Sequence, residues 1–183
     1  LHPILHSFPT RRSSDLKQPS SRWYSGSGIY RDVTLSYRDK VQVAENGNHI
    51  TTPKLAQQKD GNVETQIQSK IKNTAKTLAK VFVEQQIFTK EGKAVSDLVR
   101  SVTKSLSGNE TADFKQTILV NKPTLWTTKS YHPQLYVLKT KVYNEGQLVD
   151  VTEDTFGYRY FNWTAKEGFS LNGERMKFHG VSI

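Results

Sequence analysis

The run Val63-Glu64-Thr65-Gln66-Ile67-Gln68-Ser69-Lys70-Ile71-Lys72 decides how this chain folds. Positions 63, 65, 67, 69 and 71 are apolar or small, while 64, 66, 68, 70 and 72 are all charged or amide. Successive side chains of a strand point to opposite faces, so the pattern predicts a strand with one face in a core and the other in water. Gly61-Asn62 before it and Asn73-Thr74 after it supply turn chemistry at both ends.

The same grammar recurs on either side. Tyr136-Val137-Leu138-Lys139-Thr140-Lys141-Val142-Tyr143 runs into Asn144-Glu145-Gly146-Gln147 and resumes at Leu148-Val149-Asp150, which predicts a β-hairpin. Lys90-Glu91-Gly92-Lys93, between Ile87-Phe88 and Ala94-Val95, predicts another turn. So does Ser107-Gly108-Asn109-Glu110, ahead of Phe114–Val120. Short strands punctuated by turns point to an antiparallel sandwich. One stretch pulls the other way: Ala94, Val95, Leu98, Val99, Val102 and Leu106 recur at the amphipathic-helix period. The hairpins around residues 94–106 favour strands there.

Composition bounds the function. The 183 residues carry 26 Lys+Arg against 17 Asp+Glu, a net charge of +9, with 35% hydrophobic residues, enough for a core. Apolar runs are far shorter than the roughly 20 residues that cross a bilayer as a helix, so no membrane span is expected. With no cysteine, disulfides, thiolate nucleophiles and Cys-ligated metals are excluded. Lysines alternate along strands (Lys70, Lys72, Lys139, Lys141), as outward residues of a half-solvated sheet do. No aromatic RNP-like motif accompanies them, and nucleic acid is not the expected partner.

Residues 1–16 are set aside. His6-Ser7-Phe8-Pro9-Thr10-Arg11-Arg12-Ser13-Ser14-Asp15-Leu16 looks like the translation of a sequencing-library adapter. Leu1-His2-Pro3-Ile4-Leu5 lacks the basic start of a signal peptide, and no apolar stretch follows Arg11-Arg12 as twin-arginine export requires. Removing two arginines and one aspartate with this segment lowers the charge from +9 to +8.

Candidate chemistry is sparse. His49, His132 and His179 lie far apart without ligand spacing, so no metal site is expected. A retaining glycosidase needs two carboxyl groups about 5–5.5 Å apart, one kept protonated. The adjacent Glu153-Asp154 would point to opposite faces of a strand, and no catalytic residue is assigned. Phosphate loops, dinucleotide fingerprints and Gly-x-Ser-x-Gly are absent. In Ser20-Ser21-Arg22-Trp23-Tyr24-Ser25-Gly26-Ser27-Gly28-Ile29-Tyr30-Arg31, two glycines sit beside aromatics and arginines. That cluster is read either as a loop presenting rings to a sugar or as a domain-closing loop whose Trp23 and Tyr30 simply pack. Asn109-Glu110-Thr111 and Asn162-Trp163-Thr164 match the glycosylation sequon, a match that would mean little if the source is bacterial.

Several motifs then fall in one order. Ser21-Arg22-Trp23-Tyr24-Ser25-Gly26-Ser27-Gly28-Ile29-Tyr30-Arg31-Asp32-Val33 resembles the last stretch of the sugar-binding jelly roll in glycoside hydrolase family 2. Asn121-Lys122-Pro123-Thr124-Leu125-Trp126 and His132-Pro133-Gln134-Leu135-Tyr136 resemble the closing strands of its immunoglobulin-like domain. Phe156-Gly157-Tyr158-Arg159 resembles the junction before its catalytic barrel, with Tyr158 where phenylalanine is commoner. Gly168-Phe169-Ser170-Leu171-Asn172-Gly173 and Lys177-Phe178-His179-Gly180-Val181-Ser182 resemble the lead-in to that barrel and its first strand, the latter falling in Met176–Ile183, which reads as a strand.

The resemblance, nearest the bacterial β-galactosidase branch, implies an all-β fragment. Residues 17–37 would end a jelly roll, 38–157 would form an immunoglobulin-like antiparallel β-sandwich, and 158–183 would begin a (β/α)₈ barrel. Barrel chemistry sits at the C-terminal ends of the strands, so the family's two catalytic glutamates and its metal ligands are expected beyond this chain. Ser21, Arg22 and Trp23 would lie near the sugar pocket, though relatives place an acidic side chain where this chain has Ser21-Arg22. Arg159 would brace the junction by pairing with a barrel carboxylate, and Trp126 is read as core packing. No cofactor is expected in this part; the full-length enzyme could take a divalent metal ion and Na⁺. The implied partner is a β-galactoside or related glycan, a homo-oligomer is compatible, and either periplasm or cytoplasm fits. The competing class is a non-catalytic immunoglobulin- or fibronectin-like adhesion or carbohydrate-binding module.

Overall fold

The computed structural model describes residues 32–33, 35–129 and 133–180. The chain divides into two compact units, Leu1–Tyr37 and Arg38–Ile183. The adapter-like segment and nearly all of the expected jelly-roll tail, with Ser21, Arg22 and Trp23, lie outside the described residues.

The second unit is built almost wholly of antiparallel strands. β1 (Val41–Thr51), β2 (Asn62–Asn73) and β6 (Thr111–Asn121) form one sheet in the order β1-β2-β6. β3 (Ala79–Thr89), β4 (Val99–Arg100), β7 (Tyr136–Asn144) and β8 (Gln147–Phe156) form the second in the order β4-β3-β7-β8, with β5 (Lys104–Leu106) also on β3. A third, small sheet joins β9 (Phe161–Thr164), β10 (Gly168–Leu171) and β11 (Glu174–Arg175). The one helix among the described residues, α1 (Leu55–Gln58), buries Leu55 in the sandwich.

The deciding stretch folds as its pattern dictates. Along β2 the buried side chains are Val63, Thr65, Ile67, Ser69, Ile71 and Asn73, while alternate residues face outward. β7 and β8 close through Glu145-Gly146, with φ of 50° and 85°. Positive φ at both central residues gives the turn whose twist matches that of the flanking strands. The turn before Phe114 is also present, with Glu110 N donating to Ser107 O at 3.2 Å. It links β5 of one sheet to β6 of the other, so it is a crossover between layers and not a hairpin.

Residues 94–106 are extended, not helical. After the Lys90–Lys93 turn, Ala94 bridges to Phe88, β4 pairs Glu84 and Gln85, and β5 pairs Ala79–Val81. Ser96 Oγ accepts from Ile87 N and Ser101 Oγ accepts from Val83 N, both at 2.9 Å, so side-chain oxygens take over β3 donors where the strand is interrupted. Leu98 and Val102, which a helix would have buried, are exposed. The expected barrel strand over residues 176–183 is corrected for its described part. Residues 176–180 carry no strand. A strand exists only through its ladder partners, and none pairs with this segment among the described residues.

Residues from both sheets meet in two hydrophobic clusters. One gathers Val43, Ile71, Val81, Val83, Phe114 and Val142; the other gathers Ile67, Ile87, Ile118, Leu138, Tyr136 and Tyr158. A polar layer separates them. Gln85 Nε2 donates to Ser69 Oγ at 2.9 Å and to Thr140 Oγ1 at 3.0 Å, bridging the sheets. Ser69 Oγ donates to Asn48 Oδ1 at 2.6 Å, and Asn48 Nδ2 reaches Asp154 Oδ2 at 2.6 Å. Asn48 sits just after a register shift in β1 between Val43 and Asn48. The bulge brings this amide opposite Ser69. Buried groups in such a layer fix one register, because a slip would leave them unpaired.

Candidate functional site at the sandwich end

The junction motif is assembled by short, specific contacts. Tyr158 is fully buried, its ring edge-on to Tyr136 at 5.0 Å and to Phe156 at 5.2 Å. Its hydroxyl lies 2.8 Å from Thr65 Oγ1 on β2. Burial holds the phenol above its ordinary range, opposed by that hydrogen bond. Leu125 pairs in parallel with Tyr158, and Trp126 N donates to Tyr158 O at 2.8 Å.

Trp126 is half-buried and belongs to neither hydrophobic cluster. A Cβ on Gly157 would stand 2.9 Å from Trp126 Cβ, so only glycine admits the indole this close. The Arg159 guanidinium lies 4.9 Å from the ring centroid. Arg159 thus stacks on an aromatic ring, and no carboxylate pairs with it among the described residues. Asn172 Nδ2 donates to Trp126 O at 2.8 Å, and Tyr160 N donates to Asn172 Oδ1 at 3.1 Å. One asparagine side chain, in the turn between β10 and β11, therefore ties the Trp126 segment to the entry of β9. Its role is invisible in the sequence, where Asn172-Gly173 signals only a turn.

An open cleft of about 450 Å³ beside this cluster is lined by Ile50, Thr52, Trp126, Leu135, Phe156 and Arg159, among others. Another, of about 340 Å³, lies over β1, β2 and β6 with His49, Gln66, Gln68 and Lys115 in its lining. The second offers hydrogen-bonding groups without an aromatic face. Neither assembles a nucleophile with an acid.

The carboxylates follow suit. Glu153 faces outward and pairs with Lys139 at 2.8 Å, while Asp154 turns inward to Asn48, so the adjacent pair is split between faces. Glu64 is held below the ordinary carboxylate range by hydrogen bonds from Lys54 and Gln58, and Glu91 by one from Thr89. A glycosidase acid needs a displacement in the opposite direction. Among the described residues no group of histidines and carboxylates could hold a metal ion. No helix there is long and apolar enough to cross a membrane.

Comparison with known proteins supplies the frame for this geometry. The sequence model of glycosyl hydrolases family 2 matches residues 47–159, from within β1 to the junction arginine. The chain belongs to that family. It is 34% identical over 94% of its length to the β-galactosidase BoGH2A of Bacteroides ovatus. A crystal structure of a family 2 member from Bacteroides cellulosilyticus superposes with a TM-score of 0.75 at 29% identity over 85% of this chain. A β-glucuronidase of Bacteroides uniformis superposes at 0.74 with 27% identity over 92%. The chain spans only 19–20% of the length of these relatives.

Proposed function

We propose that this chain is the sandwich portion of a longer retaining exo-glycosidase acting on terminal β-galactosides. Its role is to set the sugar-binding domain before it against the catalytic domain after it. The observation that carries the reading is the 34% identity to a β-galactosidase across nearly the whole chain. In the double displacement of such enzymes one carboxyl protonates the departing glycosidic oxygen while a second attacks the anomeric carbon. Water then cleaves the glycosyl-enzyme bond, with the first carboxyl taking the proton from that water. Both carboxyls are assigned to the catalytic domain. The split of Glu153 from Asp154 and the downward displacement of Glu64 and Glu91 support placing them outside the sandwich.

The likeness to a β-glucuronidase at a TM-score of 0.74 favours β-glucuronides as the second substrate class. Assays of the full reading frame on chromogenic β-galactoside and β-glucuronide decide between them. Purified residues 17–183 are expected to turn over neither. Turnover by that piece, lost on substituting one of its own carboxylates, would overturn the assignment. Glycan binding without turnover by the full frame would make it a binding module.

A further inference from the structure

The two large sheets end in β1, β6, β4 and β8, and three of these edges are blunted. β1 carries a register shift between Val43 and Asn48, β8 an extra residue at Val149, and β4 is two residues long. Bulges and short strands keep a sheet edge from pairing with another chain. β6 has neither. It runs for 11 residues in unbroken register with β2, from Lys72↔Thr111 to Asn62↔Asn121. Asn73 N donates to Glu110 O and Lys122 N donates to Gly61 O, so the even-numbered residues of this stretch turn their backbone groups toward β2. The odd-numbered ones, Thr111 to Leu119, turn theirs to the outer edge. Among the described residues, the one hydrogen bond made to that edge comes from the exposed Lys104 ammonium, which donates to Asp113 O at 2.6 Å.

We infer that the outer edge of β6 is a self-association surface, pairing antiparallel with β6 of a second copy of this chain across a two-fold axis. The exposed side chains choose both the occupant and the register. Along the strand they read Thr111, Asp113, Lys115 and Thr117. Reversed upon itself about Phe114, this order sets Thr111 opposite Thr117 and Asp113 opposite Lys115, and the axis repeats both pairs. Opposite charges and facing threonines are cross-strand partners that stabilise a sheet. The edge is therefore complementary to itself, as an isologous contact requires. The neighbouring registers lack this match. Centring on Lys115 sets lysine against lysine, and centring on Asp113 sets aspartate against aspartate, both unfavourable. The pairing adds about eight main-chain hydrogen bonds and makes one continuous sheet of the two copies' β1-β2-β6 sheets. Lys104, long and exposed, gives up Asp113 O to the incoming strand.

Sedimentation equilibrium of the 183-residue chain, with hydrogen-exchange mass spectrometry of residues 111–121, tests the contact. A dimer is expected to form as concentration rises, with deuterium uptake in that segment falling in step. Lys115→Asp and Asp113→Lys each turn both ion pairs into like-charge contacts and are expected to raise the dissociation constant about tenfold or more. The exchanged pair, Asp113→Lys with Lys115→Asp, restores the match and is expected to return it to within about threefold of the starting value. Asp113 also faces Lys70 of its own chain, whereas Lys115 faces Gln68, so Lys115→Asp is the cleaner single reversal. Both side chains are exposed, and circular dichroism checks that each variant keeps the sandwich. A chain that stays monomeric at every concentration overturns the inference. So does a dimer indifferent to the single reversals, or one that the exchanged pair fails to restore. In the full reading frame, protection of residues 111–121 that survives dilution to monomer would put another part of the same polypeptide on this edge, which also overturns it.

Discussion

The phenolic oxygen of Tyr158 lies 2.8 Å from Thr65 Oγ1, tying a residue two positions past β8 to the first half of β2 across the interior. Both residues are fully buried. Tyr158→Phe therefore leaves the threonine oxygen without that partner and is expected to cost about 1–3 kcal/mol. Pairing it with Thr65→Val removes both polar groups and should recover most of the loss. Urea unfolding of the two single variants and the double variant measures this. A double variant as weak as the sum of the singles would show that the hydroxyls are not coupled.

The same residue sets an alkaline limit. The folded phenol is held above its ordinary value, while in the unfolded chain it ionises near about 10. The unfolded state thus gives up its proton first as pH rises. Tyr158's share of stability is complete below about pH 10 and drains above it, at up to about 1.4 kcal/mol per pH unit. The stability gap between wild type and Tyr158→Phe should narrow from pH 9 to pH 11. Parallel pH profiles would contradict it.

Asn48 holds the polar layer together. Its amide donates to Asp154 at 2.6 Å and Thr152 at 3.1 Å, and its carbonyl accepts from Ser69 at 2.6 Å. Asn48→Ala is expected to destabilise the sandwich by about 2–3 kcal/mol through the unpaired groups it leaves. Asn48→Asp instead sets a second carboxylate against Asp154. Its loss should exceed that of Asn48→Ala, because the two like charges repel across the layer. Thermal melts of both variants measure the difference.

The β7–β8 turn offers a backbone test free of packing. Gly146 has φ of 85° and nothing within 4 Å of where a Cβ would stand. Gly146→Ala should then cost about 1–2 kcal/mol from the left-handed backbone alone. Glu145, at φ of 50°, should gain stability on replacement by asparagine, which tolerates that region. Chemical denaturation gives the two opposite signs.

Gly157 reports the junction. A methyl group there would stand 2.9 Å from Trp126 Cβ, so Gly157→Ala must push the indole aside. A loss of about 1–3 kcal/mol is expected, as for overpacking elsewhere. Displacing the ring also disturbs the Arg159 stack, which a changed Trp126 emission spectrum would reveal.

Local chemistry made much of the fold legible. The alternation along Val63–Lys72, the Glu145-Gly146 turn and the opposed faces of Glu153 and Asp154 follow from the period-two geometry of a strand, which each residue obeys without reference to distant ones. Residues 94–106 show the limit of that reasoning. Their spacing suits a helix, but β3 offers open ladder positions, and serine hydroxyls complete what the backbone leaves unpaired. The resemblance located the junction, yet not the Asn172 clamp or the stacking of Arg159 on Trp126.

Sequence alone therefore determined the strand over Val63–Lys72, the face of it that turns inward and the reversal at Glu145-Gly146. Those depend on neighbours one or two positions away. Tertiary structure decided which sheet each strand joins, and that the core is cut by a polar layer spanning Asn48 to Asp154. It decided too that three aromatic rings, those of Phe161, Trp163 and Phe178, remain exposed around the half-buried Phe169. Those outcomes belong to contacts between residues far apart in the chain, whose energies exist only once the chain has folded.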